Sequence, residues 1–150
     1  TVDLWPIYNA YNYMGIVITK AVTAPTSAMD FSPDGKYLAV VGSGPSSGTN
    51  YNTRIRIYKI DAISSTYITD ITPSGTFSYT GGSFTDVAFS KDSNYLVIPY
   101  TGGSGSDRAM VFKRTGHSSF QELKNAQGTN MPLSFSVNAG ESPYKVKFAN

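Results

Sequence analysis

Few side chains of this chain could carry acid–base or nucleophilic chemistry. His117 is the only histidine among 150 residues, and Glu122 and Glu141 are the only glutamates. A Ser–His–Asp triad needs a nucleophile and an orienting acid that the fold brings to the histidine, and nothing in the sequence indicates such a grouping around His117. The two glutamates lie in different segments and do not suggest a glycosidase pair. The residues therefore predict no catalytic group, no metal site and no cofactor.

A glycine-rich stretch, GSGPSSG at 42–48, superficially resembles a phosphate-binding loop. Such loops present backbone N–H groups at the start of a helix. This stretch instead joins two strand-like segments, and no Lys-Ser or Lys-Thr pair follows it. The sequence TGGSGSD at 101–107 occupies the same slot further along. We therefore predict two long loops between strands and no nucleotide site.

Composition narrows the classes of partner. The formal net charge is +2, and charged residues make up 15% of the chain. The longest basic run is Lys113-Arg114, so binding to nucleic acid through phosphate neutralisation is not predicted. Cysteine is absent, which excludes disulfides and thiolate metal sites within the chain. No apolar run approaches the roughly 20 residues of a membrane span, so we predict no membrane insertion.

Internal repetition is the strongest pattern in the sequence. The phrase MDFSPDGKYLAV (29–40) aligns with VAFSKDSNYLVI (87–98), and VKFA (146–149) matches its beginning. A second phrase, RIRIYK (54–59), aligns with RAMVFK (108–113), and VDLW (2–5) fits the same slot. Repeats of this period indicate a stack of similar supersecondary units.

Each unit holds four short segments typical of β-strands, here called a, b, c and d. They are predicted at 28–32 and 86–90 (a), 37–41 and 95–99 (b), 54–60 and 108–113 (c), and 13–20, 66–71 and 119–123 (d). Segment c alternates apolar and polar residues, as a half-buried strand does. Segment b is almost entirely apolar, which predicts a strand covered on both faces.

Segments a and b are joined by turn residues. In SPDG, Pro33 presets the turn dihedral and Gly35 accepts a positive φ. In the second copy, SKDSN, we expect Asn94 to take the left-handed conformation in place of glycine. Asp34 and Asp92 are accordingly interpreted as turn residues and not as metal ligands or catalytic acids.

The repeated FSPDGKYLAV phrase and the aromatic residue on segment c (Trp5, Tyr58, Phe112) resemble WD40-like β-propeller blades. The Trp-Asp and Gly-His dipeptides of that family are absent. VAFSKDSNYLVIPY followed by DRAMVFKRTGHSSFQELKN (87–125) is more similar to a divergent group of bacterial and phage propellers. That resemblance implies an all-β fold, a β-propeller of four-stranded antiparallel blades. It also implies a virion-associated module, or a protein of the bacterial cell surface or a secreted one.

On this basis the chain divides into parts of one propeller. Residues 1–27 form a partial blade with strands c and d, 28–85 and 86–143 form two full blades, and 144–150 form the first strand of another. Propellers usually close with about four to eight blades. We expect either a segment of a longer chain, which we favour, or several copies that assemble one ring.

The predicted binding surface lies on the face that carries the long b–c and d–a loops, because loops on a rigid scaffold commonly carry binding. Tyrosine supplies large, rigid contact area with a polar tip. The candidate contact residues are Tyr51, Arg54, Tyr100 and Arg108.

The predicted function is a non-enzymatic structural or binding module of a phage tail, fibre or decoration component, with protein partners and a cell-surface glycan as a further candidate ligand. Two alternatives stay open at this point. One is a lactonase-like enzyme propeller, and the other is a lectin-like propeller assembled from short chains.

Overall fold

A computed structural model of the chain describes residues 2–4, 16–18, 26–42, 54–61, 68–74, 83–101, 108–123, 133–134 and 145–149. These residues form an all-β structure, and every strand pairing among them is antiparallel. The all-β prediction is therefore confirmed. Near the start of the chain, β1 (Val2–Leu4) pairs with β2 (Ile16–Ile18).

The first sheet contains four consecutive strands in the order β3-β4-β5-β6. They are β3 (Thr26–Phe31), β4 (Tyr37–Gly42), β5 (Ile55–Ile60) and β6 (Ile68–Asp70). The four strands correspond to the predicted segments a, b, c and d. All of β4 is buried, which confirms the prediction from its uninterrupted apolar run.

The second sheet repeats this arrangement along the path β11-β10-β9-β7. Its strands are β7 (Ser83–Phe84), β8 (Ala88–Phe89), β9 (Tyr95–Thr101), β10 (Arg108–Gly116), β11 (Ser119–Glu122) and β12 (Leu133–Ser134). Segment a was predicted as one strand at 86–90. Only β8 lies within that range. β7 precedes it, in the stretch 72–85 that was predicted as a loop, and both strands pair with β9.

β12 adds a short pairing to the first residues of β10. It falls inside the stretch 124–143, which the repeat pattern predicted as a long connection only. The paired residues are Arg108 with Ser134 and Ala109 with Leu133. β12 therefore continues the edge of the sheet along the part of β10 that β11 does not reach.

The two sheets pack face to face around one hydrophobic core. Alternate side chains of β4 and β5 meet the second sheet, because successive residues of a strand point to opposite faces. The buried core residues are Tyr37, Ala39, Val41, Ile55, Ile57, Phe84, Val87, Phe89, Leu96, Ile98, Tyr100, Met110, Phe112 and Phe120. The opposite face of the first sheet carries a second buried cluster of Leu38, Val40 and Tyr58.

Candidate functional site

Two of the four residues predicted to contact a partner are deeply buried. Arg54 and Tyr100 each expose only 1% of their surface. The sequence placed Tyr100 at the start of a loop, but β9 continues through it to Thr101 and its ring joins the core. In this structure the described pair stabilises one end of the packed sheets, and a partner-binding role for it stays a prediction.

Phe84 organises the surroundings of these two side chains. The centroids of the Phe84 and Tyr100 rings are 5.4 Å apart. The guanidinium carbon of Arg54 lies 6.0 Å from the centroid of the Phe84 ring. Both distances suit aromatic and cation–π attraction. Sequence reasoning missed Phe84, because it lies in the stretch 72–85 that the repeat pattern assigns to a loop.

The other two candidates are less fully described. Arg108 is the Cα partner of Tyr100 in the ladder between β10 and β9, so its backbone lies next to that of Tyr100. Only the backbone of Arg108 is described. Tyr51 lies outside the described residues, as do residues 43–48 of the glycine-rich stretch.

The turn between β3 and β4, called the first turn (residues 32–37), is held by a serine and an aspartate. The Ser32 hydroxyl donates to Asp34 Oδ1 at 2.6 Å and accepts the Tyr37 N–H at 2.9 Å. The Lys36 N–H donates to the same carboxylate oxygen at 3.1 Å. These bonds confirm that Asp34 is a turn residue. Desolvation alone would raise the pKa of Asp34, but the bond from Ser32, the other hydrogen bond and the charge of Arg114 together lower it.

The second turn (residues 90–95) repeats the same hydrogen bonds. The Ser90 hydroxyl donates to Asp92 Oδ1 at 2.6 Å and accepts the Tyr95 N–H at 2.9 Å. Asn94 donates to Asp92 through its backbone N–H and its side-chain amide. The bond from Ser90, followed by those from Asn94, lowers the pKa of Asp92 to about 2. Hydrogen bonds to the charged form of a carboxyl group have this effect.

The left-handed residue of the second turn is Ser93, with φ of 59°, and not Asn94 as predicted. Ser93 stands at the position of Gly35, whose φ of 70° confirms the prediction for the first turn. The structure shows why Asn94 is used differently. Its side chain donates to Asp92 and accepts from Arg114, so it stabilises the turn through hydrogen bonds.

Polar contacts connect the first sheet to the second along its length. The Ser27 hydroxyl donates to the Phe84 carbonyl at 2.7 Å, and the Phe89 N–H donates to Asp30 Oδ2 at 2.8 Å. At the turns, the Asp34 N–H donates to the Ser93 hydroxyl at 3.1 Å. These links leave buried backbone groups satisfied where the sheets meet.

His117 takes part in the same junction through its backbone. The Tyr37 hydroxyl donates to the His117 carbonyl at 3.1 Å. His117 lies in the turn between β10 and β11 and is exposed. The contact therefore positions Tyr37, whose ring also meets Phe120 edge-on at 5.2 Å between centroids.

A groove of about 530 Å³ lies where the beginnings of three repeat copies meet. Each copy contributes residues from the same part of the repeated phrase. The lining residues are Met29, Asp30 and Pro33, then Asp86 to Phe89 with Lys91, then Lys145 to Phe148. The third copy is held to the second by the Val146 N–H, which donates to Asp86 Oδ2 at 2.8 Å.

Within the described part of the chain, no three His, Cys, Asp or Glu side chains are grouped so that they could hold a metal ion. Among the same residues, no helix has the length and hydropathy needed to cross a membrane. A scan of the chain against protein-family models finds no match, and a search of curated proteins finds no similar sequence.

Proposed function

We propose that the chain supplies blades to a β-propeller that works as a non-enzymatic structural or binding module. The observation that carries the proposal is the recurrence of one four-stranded arrangement in two sheets that pack face to face. Stacking of like sheets through their faces is how propeller blades bury their apolar surface.

A difference in exposure between equivalent residues supports further blades in the ring. Val87 and Phe89 on the second sheet expose 4% and 7% of their surface, because the first sheet covers them. Phe31, the equivalent of Phe89 on the first sheet, exposes 45%. A preceding sheet in the ring would cover this side chain in the same way.

The hydrogen bonds that the aspartate carboxylates accept within the chain favour a structural or binding role over catalysis. Asp34 and Asp92 each accept the bonds that hold a turn, and Asp30 and Asp86 each accept a backbone N–H of the next repeat. A general acid or base needs a carboxyl group that can exchange its proton with a substrate near neutral pH. The lowered pKa of Asp92, about 2, does not suit that task.

Electron microscopy of the native assembly that contains this chain tests the architecture. We expect a ring of radial four-stranded blades in which Phe31 is covered by a neighbouring sheet. A matched pair of variants sharpens the test. Phe31→Asp should reduce ring assembly, while Lys113→Asp, on an exposed position of β10, should leave it intact. An open stack or a two-sheet sandwich in the images would overturn the propeller.

The biological setting that we propose is a virion, as a tail, fibre or decoration component, and it rests on the resemblance of residues 87–125 to phage propellers. Mass spectrometry of purified particles from the source would test it. Peptides of this chain should copurify with particles at a constant ratio to the major structural protein. Recovery only from the membrane or culture-fluid fraction would favour a surface or secreted protein instead.

A further inference from the structure

The groove where three repeat copies meet combines free positive charge with exposed apolar surface. Lys91, Lys145 and Lys147 line it, and all three are exposed. Among the described residues, none of these three ammonium groups takes part in an ion pair. Within the described part of the chain, these lysines are therefore available to an external anion.

The two carboxylates in the lining are already hydrogen-bonded to the chain. Asp30 accepts the Phe89 N–H, and Asp86 accepts the Val146 N–H. Each bond ties one repeat copy to the next, so these carboxylates hold the walls of the groove together. The lining contains three lysines and two aspartates, so its formal charge is positive.

Apolar side chains flank the charged ones. Met29 is 51% exposed and Phe148 is 37% exposed, and both line the groove. Large exposed apolar groups that sit together in a concave surface are typical of interaction sites. Methionine in particular adapts its shape to different apolar partners.

We propose that this groove binds an extended acidic peptide segment in which apolar residues alternate with Asp or Glu. The carboxylates of the segment would pair with Lys91, Lys145 and Lys147, while its apolar side chains would cover Met29 and Phe148. The inference rests on the proposed binding role and names the partner of this site. Because the groove is open and its lysines are spread over two copies, it suits a linear segment better than a single small anion.

Nucleic acid fits the same groove less well. A nucleic acid carries one negative charge per nucleotide, and its binding to proteins depends on neutralisation of these phosphates. Asp30 and Asp86 would repel those phosphates, whereas an alternating peptide can place its apolar residues beside them. The formal net charge of the chain is only +2.

Fluorescence anisotropy with the full 150-residue chain tests the proposal. The probe is a fluorescein-labelled ten-residue peptide that alternates Glu with Leu or Phe. We expect saturable binding that weakens as salt rises, because exposed charge pairs are screened. The double variant K145E/K147E should weaken binding about tenfold or more, since charge reversal converts attraction into repulsion.

Matched controls separate this site from general charge attraction. K113E changes an exposed lysine of β10 that does not line the groove, and it should leave the affinity within about twofold. A peptide with Gln in place of Glu should bind far more weakly. Met29→Ser should also reduce binding without a change in charge, and circular dichroism would verify that each variant stays folded.

Three results would overturn the inference. They are no saturable binding of the acidic peptide, an equal loss with K113E, or tighter binding of a single-stranded oligonucleotide of the same charge. None of them bears on ring formation, so imaging of the assembly judges the propeller separately. Peptide binding by a chain that forms no ring would support the groove and reject the propeller.

Discussion

Arg114 Nη1 lies 3.3 Å from Asp34 Oδ2, although the two residues are 80 positions apart in the chain. The same guanidinium donates to Asn94 Oδ1 at 2.8 Å and lies 5.5 Å from the centre of the Tyr37 ring. One arginine of the second sheet thus contacts both turns and an aromatic residue of the first sheet. It connects two successive repeats at the end where their a–b turns lie.

Replacement of this arginine should weaken the junction between the sheets. Arg114→Gln should lower the free energy of unfolding by about 0.5–1.5 kcal/mol, the sum of a partly exposed ion pair and a cation–π contact. Urea unfolding followed by fluorescence measures the change. Lys113→Gln, one residue away and exposed, is the matched control and should stay within about 0.5 kcal/mol of wild type. Equal effects of both substitutions would contradict a specific role for Arg114.

The bond from the Phe89 N–H to Asp30 should be visible in hydrogen exchange. Asp30→Ala leaves this N–H without its acceptor, so we expect a loss of about 1–2 kcal/mol of stability. The Phe89 amide should also exchange faster relative to the amides of β9. Asp30→Asn keeps an acceptor oxygen and should retain most of the protection. Unchanged protection of Phe89 in the alanine variant would show that the bond is dispensable.

Gly35 should tolerate substitution poorly for conformational reasons alone. Its φ is 70°, and an added Cβ would meet no atom within 4 Å. Gly35→Ala should therefore cost about 1–2 kcal/mol from backbone strain and not from a clash. Gly35→Asn should cost less, because asparagine enters the left-handed region more readily. Thermal unfolding of the two variants provides the comparison, and an order of stability with Ala above Asn would refute this reason.

Because of Asp92, the free energy of unfolding should decrease at acidic pH. Its pKa in the folded chain is about 2, against an ordinary value of 3.8. A depressed pKa contributes stability that is fully present above about pH 4 and is lost as the pH falls towards 2. Asp92→Asn should therefore be less stable than wild type at pH 7, and the gap should narrow between pH 4 and pH 2.

Unfolding midpoints in urea at pH 7, 4, 3 and 2 would measure this gap. Ser90→Ala removes the hydroxyl that contributes most to the lowered pKa of Asp92, so it should reduce the same pH dependence without removal of the carboxylate. A gap that stays constant down to pH 2 would contradict the lowered pKa.

Much of the local structure could be predicted from the residues. The alternation in RIRIYK, the uninterrupted apolar run YLAVV and the turn residues of SPDG each indicate structure through nearest neighbours in the chain. β5, β4 and the positive φ of Gly35 follow these signals. β7 was missed, because the repeat pattern assigns residues 72–85 to a loop.

The left-handed residue of the second turn shows where local rules fail. Asparagine is generally preferred over serine at positive φ, so Asn94 was the natural choice. Ser93 adopts that conformation instead, and its buried hydroxyl accepts the Asp34 N–H of the preceding repeat. That contact joins residues 59 positions apart and lies outside the reach of local rules.

By itself the sequence determined the repeating unit, its four strands and the serine–aspartate turns, because each depends on residues within one hairpin. Only the tertiary structure decided that Arg54 and Tyr100 are buried, that Arg114 meets Asp34, and that three copies of one phrase form a groove. Those outcomes depend on how successive sheets stack. The faces that meet are contributed by residues tens of positions apart, and their pairing is set by mutual burial and hydrogen bonding and not by neighbours in the chain.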